Sequence, residues 1–170
     1  MRELSAALLG QGHAVEVVTL AVKGLPKLSE LDGIVVRRPR LLGGMPFYDL
    51  HLAAWLRKRV AVGDVDLVHV HGLRAAAATR GLGLPCVFTN HTSGFLKRLD
   101  ASTWRRRRTQ ARIHHFDAVI APSEELCDAA RSLGYVGRIE YIPNAVDAAK
   151  FRPGDRHLRA AWGVDEDTPV

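Results

Sequence analysis

Near its middle the chain reads Leu84-Pro85-Cys86-Val87-Phe88-Thr89-Asn90-His91-Thr92-Ser93-Gly94. An apolar run that is entered through a proline and ends in polar residues is typical of an interior strand of a parallel sheet. Ligands of open α/β sheets bind at the carboxyl ends of the strands. Asn90, His91 and Thr92 bring hydrogen-bonding groups and one titratable ring to such an end. The stretch therefore predicts a ligand-binding loop after a buried strand.

The composition is typical of one soluble globular domain. The chain has 170 residues, of which 47% are apolar and 25% charged, and this is enough to bury a sizeable core. No apolar stretch approaches the roughly 20 residues that span a bilayer, and the first residues lack the apolar segment of a signal peptide. We therefore expect a cytoplasmic protein, either free or peripheral at the inner face of the membrane.

Cysteines and charge limit the function classes further. Cys86 and Cys127 lack the spacing of a zinc or redox motif, which indicates that they pack as small core residues. The formal net charge of +6 and the isoelectric point near 9.8 favour acidic partners, although charge alone does not choose among phosphates, nucleotides, anionic lipids and nucleic acid.

Short apolar segments alternate with helical patterns along the chain, as in βα units with a parallel sheet. Strands are predicted at residues 15–20, 34–37, 66–72, 84–89, 118–121 and 138–142. Helices are predicted at residues 2–9, from a cap at Asp49 to Gly63, at 73–80 and 103–115, from a cap at Ser123 to Gly134, and at 155–162. Residues 21–33 contain two glycines and a proline and are predicted to form a loop, and the segment from Pro143 to Pro153 is predicted to be a linker.

Five segments, in order along almost the whole chain, resemble one enzyme family. They are residues 4–19, 66–72, 84–92, 116–124 and 142–153, the last of which contains Ile142-Pro143-Asn144-Ala145-Val146-Asp147 and Phe151-Arg152-Pro153. The pattern resembles the amino-terminal, acceptor-side domain of the retaining GT-B glycosyltransferases of the group 1 or family 4 type, which include sucrose synthases and bacterial mannosyltransferases. Each segment is weak by itself, but five in the family's order are fairly specific.

The resemblance implies an α/β fold, with a Rossmann-like parallel sheet flanked by helices that forms one half of a GT-B enzyme, its first strand missing. Residues 1–145 are expected to form the acceptor-binding domain, and residues 146–170 the interdomain linker and the start of a missing donor-binding domain. The implied reaction transfers a sugar from a nucleotide-diphosphate sugar to a sugar, lipid or other small acceptor, with retention of anomeric configuration. No cofactor is implied. The chain alone is expected to be inactive, because the donor binds mainly to the other domain.

The resemblance also implies roles for single residues. His91 matches the histidine that faces the reaction cleft and contacts the transferring sugar, and it is the predicted catalytic residue. The predicted substrate-binding residues at the same sheet edge are Gly72, Asn90, Thr92 and Ser123, and Asn144 and Asp147 match the family's hinge. The alternatives are a His91 ring bonded to nearby backbone, a turn glycine at 72, a helix cap at 123, and turn residues at 144 and 147.

A basic helix supplies a second class of function. Within little more than two turns it carries five arginines, namely Arg105, Arg106, Arg107, Arg108 and Arg112. They predict an electropositive patch that holds an acceptor phosphate or rests on an anionic membrane, unless they form only a solvated helix face. No nucleic acid is expected, because the aromatic residues are not interleaved as a stacking platform and Trp104 is expected to pack under the helix. The competing function is a non-catalytic anion-binding module.

Three histidines supply a third, weaker alternative. His69 and His71 stand two apart on a predicted strand, so that their rings share one face, a geometry that also occurs in metal sites. A metal-dependent hydrolase with His69, His71 and His91 as ligands is therefore an alternative hypothesis. Such a site needs a carboxylate or a further histidine at the same edge, and no carboxylate is found beside them. Core or loop histidines are therefore favoured, and no metal is predicted.

Overall fold

The structure is a computed structural model that describes residues 1–40, 47–63, 65–91, 95–100, 102–149, 151, 161–165 and 168. Its helices are α1 (Arg2–Gly10), α2 (Phe47–Ala61), α3 (Leu73–Ala76), α4 (Thr103–Ile113) and α5 (Glu124–Ser132), with short 3₁₀ turns at Ala77–Thr79 and Leu96–Arg98. Its strands are β1 (Glu16–Val18), β2 (Leu28–Leu31), β3 (Ile34–Arg37), β4 (Val68–His71), β5 (Cys86–Thr89), β6 (Ala118–Ala121) and β7 (Arg138–Tyr141). Most of the helix predicted at 155–162 lies outside the described residues.

Four parallel strands form the main sheet, in the order β4-β5-β6-β7. The strand predicted at the Pro85 stretch lies between β4 and β6, and its side chains Cys86 and Phe88 are buried. Val119 and Ala121 of β6 are fully buried beside it. The predicted βα alternation and the parallel direction of these strands are confirmed, so the carboxyl ends of β4, β5 and β6 lie at one edge of the sheet.

The remaining strands form a separate three-stranded sheet in the order β1-β3-β2, so the described strands make two sheets. β1 and β3 are parallel, whereas β2 and β3 form an antiparallel hairpin. The prediction of a plain loop at residues 21–33 is wrong, because it contains β2. The hairpin turns at Asp32 and Gly33, whose φ angles of 52° and 77° both lie in the left-handed region, as in a type I′ turn.

Helices contact both sheets: α5 packs on β6 and β7, and α1 contacts β3. At α5 the apolar side chains of Leu126, Ala130 and Leu133 are buried and pack in the main core. The helix predicted to be capped by Asp49 begins earlier, at Phe47, and places Asp49 in its first turn, so that the predicted cap is wrong. The helix predicted at 73–80 is a single α-helical turn followed by a 3₁₀ turn.

Both cysteines are buried and free, in agreement with their predicted packing role. Burial raises the pKa of each thiol, which disfavours the reactive thiolate. Among the described helices, none has the length and apolar content needed to cross a membrane.

Candidate functional site

The candidate site lies at the carboxyl ends of β4 and β5. His71 is the last residue of β4 and stands opposite Thr89, the last residue of β5, in the parallel register. Gly72 follows the first strand, and Asn90 and His91 follow the second. Because both strands end at the same edge, polar side chains that are 20 residues apart in sequence meet there.

Three histidine rings lie next to one another along this edge. Nδ1 of His71 lies 2.7 Å from Nε2 of His91, and the two rings are nearly parallel, with centroids 5.0 Å apart. The ring of His69 lies 4.2 Å from that of His71, and its Nε2 is 2.6 Å from the hydroxyl oxygen of Thr89. The rings of His69 and His71 on β4 are half-buried, whereas His91 is exposed. We call these three residues the histidine cluster.

Burial determines the charge of the inner rings. It lowers the pKa of His71 to about 4, with further repulsion from His69, His91 and the amino-terminal ammonium group. Burial also lowers the pKa of His69, and the charge of His91 adds to that effect. Both inner rings are therefore neutral near pH 7, and His91 is the member of the cluster that is open to a ligand.

The hydrogen bond between His71 and His91 has a preferred direction. Nε2 of His71 is buried and has no hydrogen-bond partner within the described parts of the chain. An orphaned N–H donor is the rarer and more costly of the two unsatisfied states. We therefore assign the His71 proton to Nδ1, which donates to Nε2 of His91. In its neutral form His91 then carries its own proton on Nδ1 and presents a donor at the exposed edge.

Gly72 has a backbone conformation that only glycine adopts readily. Its φ is 87° and its ψ is 155°, and its N–H donates to the carbonyl oxygen of Thr89 at 3.2 Å. A Cβ atom at this position would meet nothing within 4 Å, so that the backbone angle and not crowding requires the glycine. The turn role is thus explained, and a close approach to a ligand stays a prediction.

Two further residues at this edge, Asn90 and Thr92, are predicted to bind substrate. Asn90 is 2% exposed, and its backbone N–H donates to the carbonyl oxygen of Ile120 at 3.0 Å, which continues the pairing of β5 with β6. In this conformation its side chain offers little surface to a ligand, so direct substrate binding by Asn90 stays a prediction. Thr92 lies outside the described residues.

Ser123 caps α5 at the carboxyl end of β6. Its hydroxyl oxygen accepts from the backbone N–H of Leu126 at 3.3 Å, and the extended backbone of Ser123 is that of an N-cap. The capping alternative for Ser123 is confirmed. A contact between this helix end and an anionic group stays a prediction.

The predicted hinge is an exposed turn. Oδ1 of Asp147 accepts from the N–H of Ala149 at 2.9 Å, and its carbonyl oxygen accepts from the N–H of Phe151 at 2.8 Å. Asn144 is exposed in the same segment. These contacts are ordinary turn chemistry, and movement between domains at 144–147 stays a prediction, as does the domain boundary after residue 145.

The five arginines of α4 do not share one surface. Arg106 donates to the carbonyl oxygens of Leu99 and Ser132 at 2.7 and 3.1 Å. Arg112 is half-buried and donates to the carbonyl oxygen of Leu73 at 3.0 Å and to Oδ2 of Asp49 at 3.1 Å. These two arginines join α4 to neighbouring segments. The exposed members of the predicted patch are Arg105, Arg107 and Arg108.

Trp104 corrects one expectation about this helix. It is 64% exposed, and the guanidinium of Arg108 lies 5.3 Å from its ring centroid, so the prediction that it packs under the helix is wrong. The buried face of α4 is defined by Thr109 and Ile113. At about 100° per residue Trp104 points to the opposite side of the helix.

The metal-site alternative receives no support from the geometry. Among the described residues, no three histidine, cysteine or acidic side chains are placed to hold a metal ion together. The three histidines instead form hydrogen bonds with one another and with Thr89.

Reasoning from the sequence missed the pairing of these residues. From the sequence, His71 and His91 are considered together only as metal ligands. The hydrogen bond between their rings is not predicted. Thr89 was not singled out, although it is the partner of His69. The signal that could have found both contacts is the parallel register of β4 and β5, which places residues 69 and 71 beside 87 and 89.

Comparisons with known proteins bear on the family and the fold of the chain. The sequence model of Glycosyltransferase Family 4 matches residues 1–150. A D-inositol 3-phosphate glycosyltransferase of Thermobifida fusca (strain YX) is 26% identical over 98% of this chain and 44% of its own length. The chain therefore spans less than half the length of that curated relative.

Solved structures show the same fold. A sucrose-phosphate synthase from Thermosynechococcus elongatus superposes with a TM-score of 0.79 at 19% identity, covering 99% of this chain and 47% of its own. A second sucrose-phosphate synthase structure from that organism, with a TM-score of 0.65 and 16% identity, covers 95% of this chain and 89% of its own. Together with the parallel main sheet flanked by helices, these matches confirm the α/β, GT-B-type fold. Because the family match extends over most of its residues, the chain belongs to Glycosyltransferase Family 4.

Proposed function

We propose that this chain is the acceptor-side part of a glycosyltransferase that transfers a sugar from a nucleotide-diphosphate sugar with retention of configuration. The observation that carries the proposal is the hydrogen-bonded pair of His71 and His91 at the carboxyl edge of a parallel sheet, beside Gly72. This edge is where α/β sheets bind ligands, and the pair presents one exposed imidazole there. Family membership and the glycosyltransferase relative support the same chemistry.

His91 is proposed to orient the transferring sugar and to stabilise charge that develops on it. An Nδ1–H that is fixed from behind by His71 donates to a sugar hydroxyl without reorganising during the reaction. The neutral state of the inner ring supports this role, because a neutral His71 adds no positive charge behind the donor. In this proposal His91 is an electrostatic and positioning group and does not abstract a proton.

Retention is proposed to proceed without a protein nucleophile. The histidine cluster contains only imidazoles, and it therefore offers no carboxylate for a covalent glycosyl intermediate. In this step the bond between the sugar C1 and the nucleoside diphosphate breaks, and the acceptor oxygen bonds to C1 on the same face of the sugar. The leaving phosphate oxygen accepts the acceptor's proton. We propose that the donor is held mainly by a further domain, and that the chain alone does not turn over.

The acceptor is proposed to be a sugar, a lipid or another small molecule. The name of the Thermobifida relative includes a phosphate-bearing inositol, which favours a phosphorylated acceptor for this chain as well. A cytoplasmic position at the inner membrane face is proposed from the exposed arginines at 105, 107 and 108, since basic residues near an anionic surface each add on the order of 1 kcal/mol of binding.

The test measures sugar transfer. It uses a longer protein in which these residues are joined to the part of a glycosyltransferase that corresponds to the uncovered region of the relatives. A panel of nucleotide-diphosphate sugars supplies the donor, and the anomeric configuration of the product is read by NMR. We expect retention, and a loss in kcat of about 100-fold or more for His91→Ala, which is the usual cost of removing a donor to developing charge. His13→Ala removes an exposed histidine outside the cluster and serves as the control.

Three results would count against the proposal. Full activity of folded His91→Ala would contradict the role proposed for the imidazole. A product with inverted anomeric configuration would contradict the retaining mechanism. Binding of anions without any turnover in the longer protein would favour the non-catalytic module.

A further inference from the structure

A polar depression in the protein surface lies apart from the histidine cluster. It measures about 420 Å³ and is lined by Arg80, Arg107, Gln110, Ala111, His114 and His115. Arg80 precedes β5, and the two histidines precede β6. The depression therefore lies toward the amino ends of these strands and shares no residue with the proposed sugar site. We call it the basic depression.

The lining of the basic depression is entirely cationic or neutral. Two guanidinium groups and two imidazoles contribute to it, and no carboxylate does. A second depression, of about 670 Å³, is lined by one lysine and four acidic residues, namely Asp100, Glu124, Glu125 and Asp128. The concentration of positive charge is thus a property of this place and not of every concave surface on the described part of the protein.

Two of the lining side chains are fixed from behind. The guanidinium of Arg80 donates to the carbonyl oxygen of Ala111 on α4. Nε2 of His115 donates to the hydroxyl of Thr79 at 2.8 Å, because that hydroxyl itself donates to the carbonyl oxygen of Ala76 at 3.0 Å. These bonds restrict the rotation of both groups before any ligand arrives, which reduces the entropy lost on binding.

The ring of His115 has one unsatisfied atom. Nδ1 is buried and lacks a hydrogen-bond partner among the residues that the structure describes. Burial lowers the pKa of this ring, and the charges of Arg80 and His114 act in the same direction, while Asp117 opposes them. The carboxylate of Asp117 accepts from the backbone N–H of Cys86 at 2.8 Å. An anion beside the ring would offset the repulsion and provide an acceptor for a protonated Nδ1.

We propose that the basic depression binds a tetrahedral oxyanion of the phosphate class, either as a free phosphate or phosphomonoester or as the headgroup of an anionic phospholipid. Arg80 and Arg107 contribute guanidinium groups to its lining, and His114 and His115 contribute imidazoles. Guanidinium groups suit this ligand, because their donors match phosphate oxygens in a planar fork. The proposal is independent of sugar transfer, since the basic depression shares no residue with the histidine cluster. Its lipid form rests on the proposed membrane position, which also uses Arg107.

The first test titrates the chain with inorganic phosphate and follows the ring signals of His114 and His115 by NMR. We expect saturable shifts of both rings, and binding about tenfold weaker in Arg107→Gln, as removal of one charge-assisted hydrogen bond requires. Arg57→Gln is the matched control, because it removes the same charge from an exposed position on α2, outside the lining of the basic depression. Circular dichroism and thermal melting establish that both variants are folded.

The second test distinguishes the two sources of phosphate. Vesicles of phosphatidylglycerol with phosphatidylcholine are compared with phosphatidylcholine alone in a sedimentation assay. A lipid headgroup is identified when Arg107→Gln weakens binding to the anionic vesicles more than Arg57→Gln does. Saturable phosphate binding without sedimentation identifies a soluble phosphate. Failure of both ligands to bind overturns the proposal. Equal losses in the two variants also overturn it, because they indicate diffuse surface charge.

Discussion

At the level of single residues, the hydrogen bond between His71 and His91 links the protonation of one ring to the placement of the other. The inner ring can donate to Nε2 of His91 only from Nδ1, and it stays neutral because its surroundings are half-buried and electropositive. A protonated His71 would still donate this hydrogen bond, but it would place a positive charge in a half-buried site next to the other two histidines. The cluster is therefore an arrangement that is stable above the pKa of its inner ring.

Stability should fall as the pH falls below 6.5. The folded pKa of His71, about 4, lies below its ordinary value of 6.5, so the unfolded chain binds the proton first. The contribution is fully present above pH 6.5 and is lost as the pH falls through 4. Burial lowers the pKa of His69 and His115 in the same direction.

Urea unfolding between pH 7.5 and pH 4.5 measures this dependence, and His71→Asn should reduce its slope. Titration of the His71 ring by NMR is the direct check. A His71 ring that titrates near 6.5 in the folded protein would contradict the burial argument.

The sequence indicates well which residues lie at the sheet edge where a strand ends, and poorly which residues they contact on another strand. His91 was assigned to the edge because the Pro85 stretch ends there, and it is exposed at that edge. Its contact with His71 depends on the register between β4 and β5, which no local pattern specifies. Arg106 and Arg112 were assigned to a surface patch for the same reason, since their carbonyl partners at 99, 132 and 73 are distant in sequence.

At the level of elements, α4 and α5 both have a serine at the N-cap position, but only the serine of α5 makes the capping bond. The hydroxyl of Ser123 accepts from the backbone of Leu126, whereas Ser102, at the start of α4, makes no such bond. The two positions therefore form a natural pair of test and control.

Ser123→Ala should lower the free energy of unfolding by about 1 kcal/mol, the usual cost of losing an N-cap. Ser102→Ala should change it by only a few tenths of a kcal/mol, because no capping bond is lost. Chemical denaturation of both variants measures the difference. Equal losses would show that the observed cap of α5 contributes nothing specific.

The missed strand β2 shows where element prediction fails. Its leucines, Leu28 and Leu31, are 54% and 49% exposed, so burial imposes no clear alternation on this strand. The glycines and proline around it then suggested a loop. The overlooked signal is the Asp32-Gly33 pair, because an Asp-Gly step between two short apolar runs is a strong indication of a type I′ hairpin turn.

At the level of the whole molecule, the four-stranded sheet was predictable because buried parallel strands read as apolar runs. The division of the described strands into two sheets was not, since it depends on which edges pair in space. The chain covers 44% of the curated relative and 47% of the first solved structure. The central claim therefore concerns one wall of a site, formed by strand ends that present His91.

The most direct measurement of this claim is a crystal structure of the longer protein with the nucleotide-diphosphate sugar that it turns over fastest. We expect a sugar hydroxyl within hydrogen-bond distance, about 3 Å, of Nδ1 of His91, with Nε2 still bonded to His71. A sugar bound away from the carboxyl ends of β4 and β5, with the His91 ring facing solvent, would contradict the account.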